Sequence, residues 1–556
     1  MDNHSAPIAS SSRRSLIRLW PWLTVLLVIL LVGFIRFRLL DMPLERDEGE
    51  YAYAGQLMLQ GIPPYELAYN LKLPGTYFAY ALGMAVFGQN VAGVHLTLLV
   101  VNSLTILFVF LLGRKLLGVT AGLVACATYG VLAVSPAVMG MAAHANHFVV
   151  FCAAPAMLLL WKADESNGRS PLFFSGLLCG LAFVMKQQGI CFGLFAGFFL
   201  LWRVAQAGPV FSAGFARKSF WFGLGMALPF LLVCLFLARA GVFPKFWFWT
   251  FGYASSYATH ESLSDGAAKF ADYFQKKFVI YAGFFLLTVL GLAVAGRIKA
   301  IHRETVFSLA LFIFSFLGTA IGLYFREHYF ILTLPAFAIL VGLAVVSLQK
   351  TLMSGARTKH FRMIPLLLFA GVLGWNIFLQ RQMFFQWPAV QVFQTIYPEE
   401  PFIEAPVVAG YIQEHSSPNA RVAVLGSEPE IYFYSQRHSA TGYLYVYALM
   451  EPQPYALKMQ REMIGEIESH QPEYLVWVGS ANSWAVRSTS GREIFDWFNK
   501  YSREHYEITG LAAVRLAGQV IFLWDADARN FHDPVEQSLV IYKRKSAPVI
   551  APAKTD

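Results

Sequence analysis

RRSLIRLWPWLTVLLVILLVGFIRFRLLDMPLERDEGEY, residues 13–51, decides how the chain is read. The apolar run from Leu19 to Leu40 is long enough, at about 1.5 Å per helical residue, to cross the roughly 30 Å hydrocarbon core of a bilayer. Arg13, Arg14 and Arg18 precede it, and the carboxylates Glu45, Asp47, Glu48 and Glu50 follow closely after it. The run is too long for a signal-peptide core and no small-residue cleavage site follows, so it is expected to remain as a first membrane helix. Short cytoplasmic loops are enriched in Lys and Arg, so the arginines place the N-terminus in the cytoplasm and the acidic segment outside.

Working outward, apolar runs at 91–113, 119–138, 146–162, 171–186, 189–204, 219–239, 278–296, 305–325, 328–349 and 363–380 bring the expected spans to about eleven. The orientation is tested by alternate loops. Arg114/Lys115, Lys162/Arg169, Arg203/Arg217/Lys218, Arg297/Lys299/Arg303 and Lys350/Arg357/Lys359/Arg362 all fall on the cytoplasmic side, and the outward loop 139–145 has no charge. An odd number of spans leaves the C-terminus outside. The predicted fold class is a polytopic α-helical membrane protein with a C-terminal α/β extracytoplasmic domain. It divides into a cytoplasmic N-terminus 1–18, a membrane module 19–384 with a first outer loop 41–90, and a soluble domain 385–556. The expected location is a bacterial inner membrane.

The composition agrees: 56% of the 556 residues are hydrophobic and 14% charged, against about 25% charged in soluble domains. The net charge of +9 gathers in the cytoplasmic loops, and no basic helix interleaved with aromatics offers a grip on nucleic acid. Cys126, Cys152, Cys179, Cys191 and Cys234 all fall in apolar segments, so the tail holds no disulfide.

Three outward regions remain. In the first, Asp47 to Gln60 is predicted as a short amphipathic helix stopped by Gly61 and Pro63-Pro64, and 74–88 as a segment too short to span, lying in the interface. The second, 240–277, opens on the aromatic run GVFPKFWFWTFGY. In the tail, 421–427, 472–480, 519–525 and 538–545 read as strands and 452–470 as a helix, with the extreme C-terminus SAPVIAPAKTD loose.

Several outward residues have chemistry to offer. The carboxylates around Asp47 and Glu48 suit a general base or a cation site; Asp47 with Glu50 also fits a capping-box-like helix start. Lys72, in NLKLPGTY (70–77), suits a lipid phosphate or simply snorkels at the interface. Lys186 borders two apolar helices, a position that marks function by default. Arg326 and His328 suit a phosphate, unless Arg326 pairs with Glu327. His144 and His147, with Asn146 between them, suit a metal if helical, but no third ligand is evident; donation to sugar or phosphate fits better. Asp47, Lys72, His144, Lys186 and Arg326 all map to one membrane face.

With these residues in place, the chain resembles the GT-C glycosyltransferases, and within them the protein O-mannosyltransferase-like group (glycosyltransferase family 39), which includes the lipid A aminoarabinose transferases. The resemblance covers roughly residues 15–380 and is carried best by the RDEGEY segment, 46–51. It implies an inverting transfer of a sugar from a polyprenyl- or dolichyl-phosphate donor to an acceptor hydroxyl. Asp47 would match the catalytic carboxylate, with Glu48 its neighbour. Lys72 and Pro74 match the family's Lys-Pro-Pro segment, with Leu73 where proline is common. Lys72, Lys186, Arg326 and His328 are then expected at the donor phosphate, and Glu50, Tyr51, Tyr77, His144, Asn146 and His147 at substrate. Relatives often carry a second carboxylate in the next outward loop, where this chain has Asn146 and His147. No P-loop or GxGxxG fingerprint calls for a nucleotide. No metal ligands are assigned and a divalent ion is not favoured. The acceptor (glycan, lipid or protein) and the oligomeric state stay open. The competing readings are a lipid or glycan transporter or flippase, for which neither internal repeats nor mid-membrane charges are found, and a non-catalytic assembly protein.

Overall fold

All eleven expected spans fall on helices in the computed structural model, which describes residues 9–209, 212–355, 359–515 and 518–546. Residues 1–8, Arg357 and the C-terminal stretch 547–556 lie outside the described residues. The chain runs through α1 (Ala9–Arg38), α2 (Arg46–Leu59), α3 (Gly75–Phe87), α4 (Val91–Leu117), α5 (Val119–Leu132), α6 (Ala145–Ser166), α7 (Arg169–Met185), α8 (Ile190–Ala207) and α9 (Ala213–Arg239), then through the long helices Leu263–Ala295, His302–Ala320, Leu334–Gly355 and Ile364–Leu379. Nine helices among the described residues are long and apolar enough to cross a membrane; α3, α5 and α7 are shorter. The span that ends in Leu334–Gly355 is the axis of the bundle, 94% buried over its most apolar stretch, whereas that of α9 is only 22% buried. Small residues allow close packing: a Cβ on Gly176 of α7 would lie 2.1 Å from the Phe222 carbonyl of α9, and Gly180, four residues on, meets Met226 in the same way.

The two ends of the bundle differ in charge. At one end Lys115 pairs with Glu165 at 2.7 Å, and Arg203 and Arg303 converge on Asp164 at 2.8 and 3.3 Å. These are the loops assigned to the cytoplasm. The opposite end gathers the 41–90 loop, the turns at 139–145, 186 and 326, and the tail.

The helix that carries the expected 278–296 span extends back into the second outward region. It begins at Leu263, not 278, because the Ser262 hydroxyl accepts the Asp265 N–H and caps it. Ahead of it lie a short helix, Phe243–Trp247, and one π-helical turn, Phe248–Tyr253. The tail is a six-stranded mixed sheet, ordered β2-β1-β3-β6-β4-β5. β1 (Arg421–Leu425) lies parallel to β2 (His438–Ser439) and β3 (Tyr474–Gly479), while β4 (Tyr506–Arg515), β5 (Val520–Trp524) and β6 (Val535–Arg544) form the antiparallel half. Four strands and the helix Ala456–His470 match expectation; β4 and β2 do not appear in it. β4 runs through Gly510, Ala512 and Ala513, small residues without the β-branched signature, and its register slips between Ile508 and Gly510.

The tail is not a separate body. Leu44, Tyr53 and Leu57 from the first outer loop share one hydrophobic cluster with Val408, Val424, Ile431 and Tyr432. Gly49 of α2 lies so close to the short helix Glu430–Ser435 that an added Cβ would meet the Glu430 backbone nitrogen at 2.6 Å.

Candidate active site

The start of α2 sets the site. Its N-cap is Glu45, whose carboxylate accepts the Glu48 N–H at 2.9 Å while Glu48 accepts the Glu45 N–H at 3.3 Å. The sequence reading gave that reciprocal box to Asp47 and Glu50. The shift of two residues turns Glu45 and Glu48 inward as the box and leaves Asp47 and Glu50 to face the space above. Glu48, expected beside Asp47 in the reaction, is fully buried and turned away: it accepts the Ala143 N–H at 2.6 Å and stands 3.3 Å from His95. It positions the 139–145 turn and does not line the cavity.

Lys72 bridges the freed carboxylates, with Nζ 2.7 Å from Asp47 Oδ1 and 2.7 Å from Glu50 Oε2. Its ammonium also lies over the Tyr51 ring at 4.6 Å and the Tyr445 ring at 5.2 Å. Tyr77 donates to Glu50 at 2.5 Å and Tyr445 donates to Asp47 at 3.1 Å. Burial pushes the Asp47 carboxyl up, but the Lys72 ammonium, helped by His144 and His328, outweighs it and holds the group well below the usual carboxylate range. Burial wins at Glu50, which is raised despite Lys72. Burial also pushes Glu45 up, to about 7, with the Asp47 charge adding to it. At Lys72 burial is outweighed by the two carboxylates, so the ammonium stays charged.

His144 and His328 flank Asp47 Oδ2 at 3.8 and 3.9 Å and stack on one another, 4.2 Å between centroids and 15° between planes. Asp47, His144 and His328 each bring a donor atom within 4.8 Å of the others. An ion lies in the plane of each imidazole that binds it, and nearly parallel stacked rings share no such plane, so this trio suits hydrogen bonding to substrate better than metal ligation. His147 is turned into the bundle, and neither of its ring nitrogens has a partner. Asn146 accepts from Lys186 Nζ at 2.8 Å, and the same ammonium lies 4.2 Å above the Tyr329 ring. Asn146, which stands where the resemblance led a carboxylate to be expected, thus meets Lys186 through a neutral contact.

Asp47, Lys72, Lys186, Arg326 and His328 line the bundle side of one cavity of about 750 Å³, while Glu50, Tyr51, Tyr77, His144, Asn146 and His147 lie behind its wall. Its other walls are Tyr69, Trp249, Tyr253 and Tyr257, and Tyr445, Tyr447 and Glu451 from the tail. Neither Lys186 nor Arg326 has a carboxylate within ion-pair distance among the described residues, and the expected alternative of an Arg326–Glu327 pair is not formed. Below the cavity lies an apolar groove of about 1020 Å³ between Pro74, Gly75 and Phe78, Val184 and Met185, and Leu232 and Phe236. A Cβ on Gly75 would lie 2.5 Å from the Val184 carbonyl, so glycine there lets the Lys72 and Lys186 segments touch. The groove and the cavity share these two segments as their border.

The sequence reading named the bundle side of this cavity and missed the tail side. The only signal was the aromatic alternation GYLYVYALM, 442–450, which places Tyr443, Tyr445 and Tyr447 at alternate positions.

Residues 72–237 match the family model described as dolichyl-phosphate-mannose-protein mannosyltransferase. The solved structure of ArnT from Cupriavidus metallidurans, bound to undecaprenyl phosphate, superposes over 94% of this chain and 98% of that one, with a TM-score of 0.57 at 15% identity. The apo oligosaccharyltransferase of Archaeoglobus fulgidus gives 0.54 at 12% identity, over 91% of this chain and 75% of that one. The chain has the fold of these two structures. In sequence, a Pseudomonas aeruginosa undecaprenyl phosphate-alpha-4-amino-4-deoxy-L-arabinose arabinosyl transferase is 30% identical over 225 residues, 36% of this chain. The match spans 38% of that relative's length. The chain therefore shares a fold along nearly its whole length with the two solved structures, while its sequence likeness to the Pseudomonas relative is confined to about a third.

Proposed function

We propose that the protein is a membrane glycosyltransferase that moves a sugar from a polyprenyl-phosphate donor to an acceptor hydroxyl on the extracytoplasmic side, with inversion. One observation carries this reading: Lys186 and Arg326, basic groups with no carboxylate partner among the described residues, face the same cavity as the Asp47–Lys72 pair, at the head of an apolar groove. Such an arrangement suits an amphiphile with a greasy chain and an anionic head. The names of the relatives, which specify undecaprenyl-phosphate-linked sugars, support the donor class.

In this mechanism the donor phosphate enters between Lys72, Lys186 and Arg326. Asp47 accepts the proton of the acceptor hydroxyl as its oxygen bonds to the anomeric carbon. The bond from that carbon to the phosphate oxygen breaks, and the electron pair leaves on the polyprenyl phosphate, whose added charge the three cations stabilise. Phosphate competes with Asp47 for Lys72. As the ammonium turns toward it, Asp47 loses the partner that depresses its basicity, so the base strengthens when donor is present. Tyr445 and His328 keep its orientation, and Asn146 holds Lys186 without neutralising it.

The test is to incubate the purified protein in lipid with a panel of polyprenyl-phosphate sugars, the 4-amino-4-deoxy-arabinose donor among them, and follow release of polyprenyl phosphate. Asp47→Asn should lower that release by roughly 10²–10⁴-fold while membrane insertion is unchanged. Turnover at the parent rate by the variant would remove Asp47 from the reaction.

A further inference from the structure

A second cleft of about 1230 Å³ opens on the other side of the Asp47 centre, between the linker at 394–404 and one end of the tail's sheet. It is distinct from the cavity that holds Lys72. Its lining includes four carboxylates, Glu399, Glu400, Glu404 and Glu536, and among the described residues no lysine, arginine or histidine. Among the described residues, only Glu400 has a basic ion-pair partner, Arg46 at 2.8 Å. Glu404 is 4% exposed, and its Oε2 has no hydrogen-bond partner. A buried carboxylate oxygen without a donor costs free energy unless something supplies one, so a ligand bringing N–H or O–H groups would satisfy it. The remaining polar lining consists of hydroxyls and amides: Tyr397, Ser480, Asn482, Gln394 and Gln537. Such side chains bind polyols.

The cleft is one imidazole away from the base. The Tyr397 hydroxyl, in its lining, lies 3.4 Å from His144 Nε2, and His144 Nδ1 lies 3.8 Å from Asp47. Asp47 itself borders the other cavity, and Tyr397 and the buried His144 stand between it and this cleft.

We propose that the cleft holds the part of the acceptor remote from its reacting hydroxyl, and that it takes a saccharide that is neutral or, preferably, amine-bearing, while excluding phosphate- and carboxylate-bearing ones. Its role as acceptor subsite rests on the transferase reading above; its ligand class follows from its own charge. An anionic group would meet three unneutralised carboxylates in a recess, where screening is weaker than on open surface. An ammonium would meet Glu399 and Glu536 at the mouth and donate to Glu404 within.

The test uses the full chain in lipid nanodiscs and three probes of equal length: the tetrasaccharides of glucosamine, N-acetylglucosamine and galacturonate. Binding is followed by calorimetry. The glucosamine probe should bind most tightly and the galacturonate least, and rising salt should weaken the first. Glu399→Gln combined with Glu536→Gln, both exposed positions that leave the fold untouched, should weaken the glucosamine probe by roughly tenfold, about threefold for each charge. Glu404→Gln should weaken both the glucosamine and N-acetylglucosamine probes. Equal or tighter binding of galacturonate, no binding of either other probe, or an unaffected double variant would each overturn the assignment. Donor turnover by the unsubstituted protein is measured in the same nanodiscs. Its absence would defeat the transferase reading, while the probe series would still decide the ligand class of the cleft.

Discussion

Replacing Lys72 by methionine keeps the length of the side chain and removes the charge that Asp47 and Glu50 share. Both contacts are 2.7 Å, and Glu50 is 1% exposed. Breaking a buried ion pair so that a charge stays behind costs about 3–5 kcal/mol. Here the cost is smaller, because Glu50 is already raised by burial and can take up a proton while keeping its Tyr77 contact. What remains resembles a lost hydrogen-bond partner, about 1–3 kcal/mol of unfolding free energy. The effect on turnover is larger: a cation removed from the developing phosphate charge lowers kcat/KM by roughly 10²–10³. The pH profile gives a separate sign. Asp47 is held below the usual carboxylate range because Lys72 outweighs burial. Without Lys72, burial prevails and the carboxyl rises, so the acid limb of the rate profile moves to higher pH. In stability terms, the depressed Asp47 contributes stabilisation above its ordinary value of 3.8 that is lost as pH falls, and the variant lacks that dependence. Thermal unfolding in detergent and a pH series of donor release measure these effects. A variant with the parent's acid limb and the parent's KM for donor would refute both the electrostatic coupling and the phosphate contact.

Gly49→Val sets two methyl groups against the Glu430 backbone and should cost about 1–3 kcal/mol, read as a lower melting temperature and faster proteolysis near 385–404; parent-like resistance would mean that the α2–tail contact is dispensable. Leu232→Trp, at a half-exposed position in the apolar groove, should raise KM for a long-chain donor by roughly tenfold, less than the burial of two methylene groups, and leave a two-isoprene donor unaffected. Equal shifts for both chain lengths would take the groove out of donor binding. Glu45 is raised to about 7, so its neutral form favours folding; its contribution is complete below the ordinary 4.5 and fades as pH climbs to about 7. Glu45→Gln should flatten that decline in melting temperature between the two values, and an unchanged slope would assign the decline to another group.

The membrane half of the fold was legible because its signal is redundant. Each apolar run has a length, and each loop has a charge that its neighbours check. The ion pairs of Asp164 and Glu165 with Lys115, Arg203 and Arg303 show that these loops do converge at one end. The start of α2 was not legible. Asp is a preferred N-cap and Glu is not, so local preference points to Asp47. The choice of Glu45 depends on Ala143 and His95, which hold Glu48 from other parts of the chain. Lys72, Lys186 and Arg326 were readable as outward cations, but their convergence depends on Gly75 meeting Val184, a contact 109 residues apart that no local pattern encodes. The aromatic wall was visible in composition at 241–253 and 442–450, yet which rings meet Lys72 follows from how the tail docks. Asn146 was readable as a departure from the family, and its task of holding Lys186 needed coordinates.

The docking of the tail has a consequence for how such proteins diversify. Arg46 is tied to Ser427, Glu400 and Glu428, and Tyr445 reaches Asp47 itself, so the wall opposite the base belongs to the C-terminal third of the chain. A chimera that joined this bundle to a relative's tail at residue 385 would exchange half of the reaction chamber along with it. Selectivity can then drift through mutation in a water-exposed domain, while the helices that line the apolar groove stay constrained by the bilayer.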